Sequence, residues 1–374
     1  MRQMKSKVFT KDHRLINADR ATFEMRRGRP ICLTTNDEKA FLVVPTETVT
    51  ERALVFLKKV SDREPDLALT HHRARTLKVR LYTDEIVLVP FPAWHTAETA
   101  RSLADPTTDL DNPLRGPFTA KRDELTEGAV AAVSLAKSAR LLPSVVIVEI
   151  DHKKSAEIQE KGTLIVSSKD ALNYETGSSA SLNQIAAADV PLENAENTRI
   201  LAFRSTDGGR EHLAIVIGNP SSDKSVLIRI HSECFTGDLI GSLKCDCGQQ
   251  LRGAINQISE EGSGVLLYLR QEGRGIGLLN KLRAYALQGQ GFDTVEANER
   301  LGFESDERLF LPAARILKQL GFYNVRLMTN NPEKVDGLEQ HGIKVSERVP
   351  HKFPSNQHNE FYLTIKREKS GHLL

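Results

Sequence analysis

Three of the four cysteines, Cys234, Cys245 and Cys247, fall within fourteen residues. This Cys-x10-Cys-Asp-Cys-Gly run constrains the fold more than any other feature of the chain. A Cys-x-Cys beside Asp246 and Gly248 makes a poor core segment, so burial alone does not account for the three thiols. Three thiolates bind zinc, and a site with three protein ligands keeps a fourth position for a water activated near neutral pH. A closed structural site with His231 as fourth ligand is the other reading of the same spacing. The opening residues, MRQMKSKVFTKDHRL, are broken by charges and lack the apolar segment of a secretory signal. No apolar run approaches the ~20 residues of a membrane span. A reducing cytoplasm and no membrane partner are therefore expected, and clustered thiols there act as ligands or catalysts.

At 374 residues, and with roughly 150 residues per domain, two domains are expected. Hydrophobic residues make up 40% and charged residues 27%, the balance of a soluble globular chain. Lys plus Arg number 51 against 49 Asp plus Glu, a net charge of +2. That charge, with 6% aromatic residues, gives no support to nucleic-acid binding. Strand-like runs over 41–45, 86–89 and 144–149 mix with helical periods over 51–59 and 126–138. The second half alternates more regularly, with strands over 226–230, 265–269 and 325–328. Helices are expected over 249–261, over 276–288 with Leu279, Leu282 and Ala286 on one face, and over 308–320 with Pro312 in the first turn. The alternation predicts an α/β fold made of two α/β (α+β) domains. Small polar residues over 177–183 read as a linker and place the boundary near 186, giving domains 1–185 and 186–374. His71-His72-Arg73, with Arg75, reads as a solvated polar loop, and Cys32 as an ordinary buried thiol.

A second chemical signal follows the strand at 265–269. In Arg270-Gln271-Glu272-Gly273-Arg274-Gly275-Ile276-Gly277, a strand gives way to a glycine-rich turn and a helix N-terminus. That arrangement cradles phosphates with backbone N–H groups, and Arg274 and Lys281 add cationic contacts. The spacing is G-x-G-x-G, which is neither the dinucleotide fingerprint nor a P-loop.

The ordered segments RIHSECFTGD, SLKCDCGQQL, LLYLRQEGRGIGLLNKLRAYALQ, DTVEAN, LGFESDER and TNNPEKV closely resemble GTP cyclohydrolase II, from about residue 189 to the C-terminal GHLL. The resemblance implies ring-opening hydrolysis of GTP, with C8 lost as formate and pyrophosphate released, at the entry of riboflavin synthesis. It implies one Zn2+ per subunit on Cys234, Cys245 and Cys247, Mg2+ on the GTP phosphates, and a homodimer. GTP contacts fall on Arg229, Ile230, His231, Ser232, Glu233, Gln250, Glu272, Gly273, Arg274, Thr294, Thr329 and Lys334. Catalytic positions fall on Tyr285, Asp306 and Arg308. Asp306 suits a proton acceptor. The Arg308 position is assigned a nucleophilic role in the family, but a guanidinium is a poor nucleophile, and a phosphate clamp is the alternative. The chain departs from the family at Leu309, where D-x-R-D is common, and at Lys244, where arginine usually precedes C-D-C.

Residues 17–176 resemble dihydroxybutanone-phosphate synthase faintly, through RRGRPICLTTNDEKAFLVVP and LTEGAVAAVSLAKSARLLPSVVIVEI. The acidic metal-binding run of that synthase is missing, since Asn36-Asp37-Glu38-Lys39 runs straight into Ala40-Phe41-Leu42. Its R-x-G-H-T-E histidine is Leu125, which neither ligates a metal nor carries a proton. The first half therefore reads as a degenerate, non-catalytic domain. A bifunctional enzyme and a non-catalytic zinc nucleotide-binding protein are the alternative functions.

Overall fold

The computed structural model describes residues 2–113, 115–122 and 125–354, with side chains from residue 13 onward. The chain forms two compact α/β units. One comprises Met1–Glu175, Leu279–Phe292 and Glu296–Ser305; the other comprises Thr176–Leu278, Asp293–Val295 and the residues from Asp306 on.

The first unit is built on a six-stranded sheet. Its strands are β1 (Ile31–Thr34), β2 (Ala40–Pro45), β3 (Asp66–Thr70), β4 (Ile86–Pro90), β5 (Ser144–Ile150) and β6 (Leu164–Ser167), in the order β4-β3-β5-β2-β1-β6. All its neighbours pair antiparallel except β1 and β6. AFLVVP and SVVIVEI read as continuous apolar runs because both sheet faces are covered. Leu42, Val44, Val146 and Val148 pack with Leu54 and Leu57 of the Glu51–Val60 helix. Phe41, Val43, Val145 and Ile147 meet the Ala-rich Glu127–Ser138 helix on the opposite face. A Cβ on Gly128 would lie 2.4 Å from the Phe41 ring, so only glycine permits this approach of helix to sheet.

Two expectations change. His71-His72-Arg73 opens a short helix, His71–Thr76, instead of a solvated loop. Arg73 is buried, donating through Nε to the Leu103 carbonyl at 2.8 Å and pairing with Asp109 through both terminal nitrogens. The Leu278–Gly289 helix keeps Leu279, Leu282 and Ala286 together on one exposed face and buries Asn280, Lys281, Ala284 and Leu287. Residues 177–183 are not a plain linker: the Tyr174–Ala180 helix runs through them, and the expected boundary at 186 falls inside a strand. That strand, NQIAAAD, is exposed along its whole length, which explains its lack of an alternating apolar signal.

The second unit carries β7 (Asn183–Asp189), β8 (Thr198–Arg204), β9 (His212–Ile217), β10 (Val226–Ser232), β11 (Gly264–Leu269), β12 (Asn324–Met328) and β13 (Lys344–Val349), in the order β13-β12-β10-β11-β9-β8-β7. The four strands β13, β12, β10 and β11 run parallel, and the rest antiparallel. The chain steps from β10 to its neighbour β11, then returns past β10 to β12. Right-handed crossovers in opposite directions place their helices on opposite faces. Accordingly the Cys247–Glu260 helix sets Ala254 and Ile258 on Leu227, Leu266 and Met328, whereas the Leu311–Gln319 helix sets Ala313, Ile316 and Leu317 on Ile228, Ile230 and Leu267. Beyond the carboxyl ends of β10, β11 and β12 lies the position where open α/β sheets bind ligands.

Among the described residues, no helix is long and apolar enough to cross a membrane. Replacing Arg73 by Met strands the Asp109 carboxylate without its guanidinium. The expected loss is about 3–5 kcal/mol of stability, read from the urea midpoint of the full chain; an unchanged midpoint would contradict the buried pair.

Candidate functional site

The thiols of Cys234, Cys245 and Cys247 converge within 4.8 Å of one another, and no other such group of potential metal ligands occurs among the described residues. Cys234 lies two residues past the end of β10 and Cys247 opens the Cys247–Glu260 helix, whose N-terminal partial charge favours a thiolate. The Sγ atoms of Cys234 and Cys245 are 3.7 Å apart. That matches the roughly 3.8 Å edge of a tetrahedron with ~2.3 Å metal–sulfur bonds. Hydrogen bonding to Cys234 raises the pKa of Cys245 and, with that of Cys245, pushes Cys247 well up. The three thiols thus resist ionising together without a cation, and the donor set fits zinc. Gly237 completes the cradle: a Cβ there would lie 2.8 Å from Cys245 Sγ, 2.9 Å from Cys247 Cβ and 3.1 Å from Cys234 Sγ.

His231 is not part of the three-thiol cluster and is engaged with Asp238 instead. Its Nε2 lies 3.1 Å from both oxygens of Asp238, of which Oδ2 also accepts from the Cys234 N–H at 3.0 Å and the Tyr268 hydroxyl at 3.0 Å. A carboxylate only accepts, so Nε2 donates and Nδ1 presents a lone pair. Burial lowers the His231 pKa more than Asp238 raises it, keeping the ring neutral, and the ring stacks on Tyr268 with centroids 5.5 Å apart.

The remaining residues after β10, β11 and β12 interlock. Arg229, on the face of β10 shared with Leu227, donates to the Met328 carbonyl at 2.8 Å and to Gln250, which in turn donates to Asp246. Burial brings the Arg229 pKa down to about 10. Lys334 reaches from the Glu333–Glu339 helix to the Ile230 carbonyl at 2.8 Å. Thr329 is buried at the end of β12, its hydroxyl accepting from the Asn331 N–H at 3.0 Å. Glu272 accepts from the N–H of Phe235 at 2.6 Å and of Gly273 at 2.9 Å, tying the turn after β11 to the cysteine turn. Burial raises the pKa of Glu233, which pairs with Arg270 at 2.8 Å. Gly273 and Arg274 both sit in the left-handed region, at φ 64° and 58°. Arg274 carries that strain where the Glu307 N–H donates to its carbonyl at 3.0 Å.

Asp306 and Arg308 form a pair. Arg308 Nε lies 2.8 and 3.0 Å from the two carboxylate oxygens, with a further contact from its terminal nitrogen. Burial opposes ionisation of Asp306, but Arg308 outweighs it and holds the carboxyl below its ordinary pKa. Thr294 begins the Thr294–Arg300 helix. Tyr285 is part of the first unit, with the Lys281 ammonium 5.7 Å from its ring centroid.

Five buried polar atoms near these strand ends lack a hydrogen-bond partner among the described residues: Arg229 Nε, His231 Nδ1, Ser232 Oγ, Glu233 Oε2 and Gln271 Oε1. Unpaired buried groups are costly, and their clustering marks a place for a polar ligand. Sequence reasoning missed Asp238, Tyr268 and His351. His351 lies 2.9 Å from the Gln250 carbonyl, and burial, then Arg229, brings its pKa down to about 4. Asp238 stands inside FTGD, where its spacing from Cys234 was the available signal; nothing in the sequence marks His351.

Comparison with known proteins agrees with this geometry. The GTP cyclohydrolase II family profile matches residues 183–350. The chain is 51% identical to the GTP cyclohydrolase-2 of Azospirillum brasilense over 358 residues, 95% of this chain and 93% of that one. It is 47% identical to the riboflavin biosynthesis protein RibBA of Bacillus velezensis over 65% of this chain and 64% of that one. Against RibBA of Chlorobium phaeovibrioides it is 35% identical over 96% and 97%. The chain belongs to the GTP cyclohydrolase II family.

Substituting Gly237 by Ala inserts a methyl group among the three sulfurs. The variant is expected to remain folded by circular dichroism yet to retain little zinc by elemental analysis; full zinc content would contradict the cradle.

Proposed function

We propose that this chain hydrolyses GTP to formate, pyrophosphate and 2,5-diamino-6-(5-phosphoribosylamino)pyrimidin-4(3H)-one, the first step of riboflavin biosynthesis. The single observation that carries this reading is the three-thiol cradle at the end of β10, in a chain 51% identical to a GTP cyclohydrolase-2 across almost its full length. Cys234, Cys245 and Cys247 would hold one zinc ion per subunit, which would supply an activated water for hydrolysis at C8 of guanine. Arg229, Ile230, His231, Ser232, Glu233, Gln250, Glu272, Gly273, Arg274, Thr294, Thr329 and Lys334 bind and orient the nucleotide, with Mg2+ on its phosphates. His231 Nδ1, Ser232 Oγ and Arg229 Nε are open to this role, since none of the described residues hydrogen-bonds to them.

Asp306 takes up a proton in the reaction, and Arg308 clamps phosphate. Arg308 is held by Asp306, and a guanidinium, protonated at ordinary pH, has no lone pair to attack with. When Arg308 turns onto a phosphate, Asp306 loses the partner that depresses its pKa and becomes the stronger base. Tyr285 orients water or the opened ring. The protein acts as a homodimer in the cytoplasm; Leu239, Ile240 and Leu243, exposed at 72, 63 and 59%, offer the partner an apolar loop.

The first half lacks synthase chemistry. The turn between β1 and β2 holds only exposed acidic residues, Asp37 and Glu38. Leu125 packs against the apolar core; Asp123 and Glu124 beside it, like the C-terminal stretch 355–374, lie outside the described residues. The A. brasilense relative, matched over both halves, is named for the cyclohydrolase alone.

Mass spectrometry of products tests the reading. Incubation with GTP and Mg2+ should yield formate, pyrophosphate and the diaminopyrimidine, and a zinc chelator should stop it; ribulose 5-phosphate should remain unchanged. Intact GTP with zinc-replete protein would refute the proposal. Asp306→Asn is expected to lower kcat by about 10²–10³-fold with zinc content unchanged, as loss of a positioned base does; near-parent kcat would remove Asp306 from the mechanism.

A further inference from the structure

Past the end of β13 the chain stays on the second unit, and side-chain bonds fix its course. The Thr329 N–H donates to the Val349 carbonyl at 3.0 Å, which carries the pairing of β12 with β13 to the last residue of β13. Asn330 then grips the backbone of His351 at two points. Its Oδ1 accepts from the His351 N–H at 3.0 Å, and its Nδ2 donates to the His351 carbonyl at 2.6 Å. Both residues are buried. The His351 ring meets the first turn of the Cys247–Glu260 helix, with Nε2 2.9 Å from the Gln250 carbonyl. A carbonyl only accepts, so Nε2 carries the proton. Burial, then Arg229, brings the His351 pKa down to about 4, which leaves the ring neutral with that single N–H. Phe353 secures the same segment further along the helix. Its ring stands edge-on to His351 with centroids 4.8 Å apart, and a Cβ on Gly253 would lie 2.2 Å from its Cζ. Glycine weakens a helix interior, and here its bare Cα is what admits the ring.

The residue so fixed, Gln250, has both ends of its side-chain amide committed to the site. Oε1 accepts from Arg229, and Nε2 donates to Asp246, which stands between Cys245 and Cys247. Arg229 also donates to the Met328 carbonyl at 2.8 Å, while its Nε has no hydrogen-bond partner among the described residues. Moving the helix turn at Gln250 therefore moves an acceptor that sets the guanidinium plane, and with it the direction in which Nε points. Buried directional bonds specify one such orientation. We infer that His351 is a positioning residue for nucleotide binding, whose Nε2–H acts through Gln250 to hold the Arg229 guanidinium in place for GTP. Asn330 and Phe353 keep the ring where that bond forms. All of these residues belong to the second unit. The inference rests on the reading of the chain as a GTP cyclohydrolase in which Arg229 contacts the nucleotide.

The test uses the full-length, zinc-replete protein with GTP and Mg2+. His351→Phe keeps a ring against Phe353 and removes the donor. Its KM for GTP is expected to rise about fivefold, the worth of one neutral hydrogen bond, with kcat within about twofold of the parent. His351→Gln carries an amide N–H to the place of Nε2 and should return KM to within about twofold of the parent. Backbone amides over 250–254 should exchange hydrogen faster in metal-free His351→Phe than in the metal-free parent, a readout independent of turnover. In a Gln250→Leu background, His351→Phe should raise KM less than about twofold, since a residue acting through the Gln250 amide has nothing left to position. An unchanged KM or unchanged exchange in His351→Phe, no recovery in His351→Gln, or a full effect persisting in Gln250→Leu would overturn the inference while leaving the cyclohydrolase reading intact. No turnover of GTP by the zinc-replete parent would overturn that reading and the inference with it. Should His351→Phe fail to fold, Gly253→Ala carries the test, because its methyl group suits the helix but displaces Phe353. The same rise in KM is expected there, and an unchanged KM would overturn the inference.

Discussion

Three thiols within 4.8 Å of one another are an electrostatic problem that the second unit is arranged around. Each sulfur that ionises disfavours the next, and a divalent cation is the simple relief. The surroundings serve that requirement. Gly237 leaves room among the sulfurs, the Cys247–Glu260 helix points its N-terminus at them, and Asp238 holds the Cys234 peptide N–H. Asp238 also fixes the tautomer of His231, so one carboxylate orients both the cysteine turn and the neighbouring imidazole.

Topology explains why these groups meet. Because β10 lies between β11 and β12 and all three run parallel, the segments leaving their carboxyl ends emerge side by side. The cysteine turn follows β10, the glycine-rich turn follows β11, and Thr329 and Lys334 follow β12. The cross-ties are specific: Glu272 to Phe235 N–H, Lys334 to the Ile230 carbonyl, Arg229 to the Met328 carbonyl. Polar atoms left without a partner among the described residues, His231 Nδ1 and Ser232 Oγ among them, are the ones the proposed nucleotide contacts call on.

Much of the site was legible in the sequence because its parts are contiguous. The cysteine spacing, the glycine-rich turn and the strand–helix alternation are local patterns, and the helices at Cys247–Glu260 and Leu311–Gln319 arise close to where periodicity predicts them. What sequence could not show depends on tertiary partners. Tyr268 and His351 acquire roles only through Asp238 and Gln250. The shared face of Leu279, Leu282 and Ala286 was legible, but the bonds that Asn280 and Arg283 make to Arg140, Glu47 and Asp105 join residues far apart in the chain and left no local pattern. β7 went unseen because an exposed edge strand has no apolar alternation to read.

The central claim is that one metal ion in the three-thiol cradle makes GTP hydrolysis possible. Titration of zinc into metal-free protein, with formate release followed at saturating GTP and Mg2+, tests it most directly. Turnover should rise from near zero and level off at one zinc per chain. Formate release by the metal-free protein, or a rise with no relation to zinc occupancy, would contradict the account.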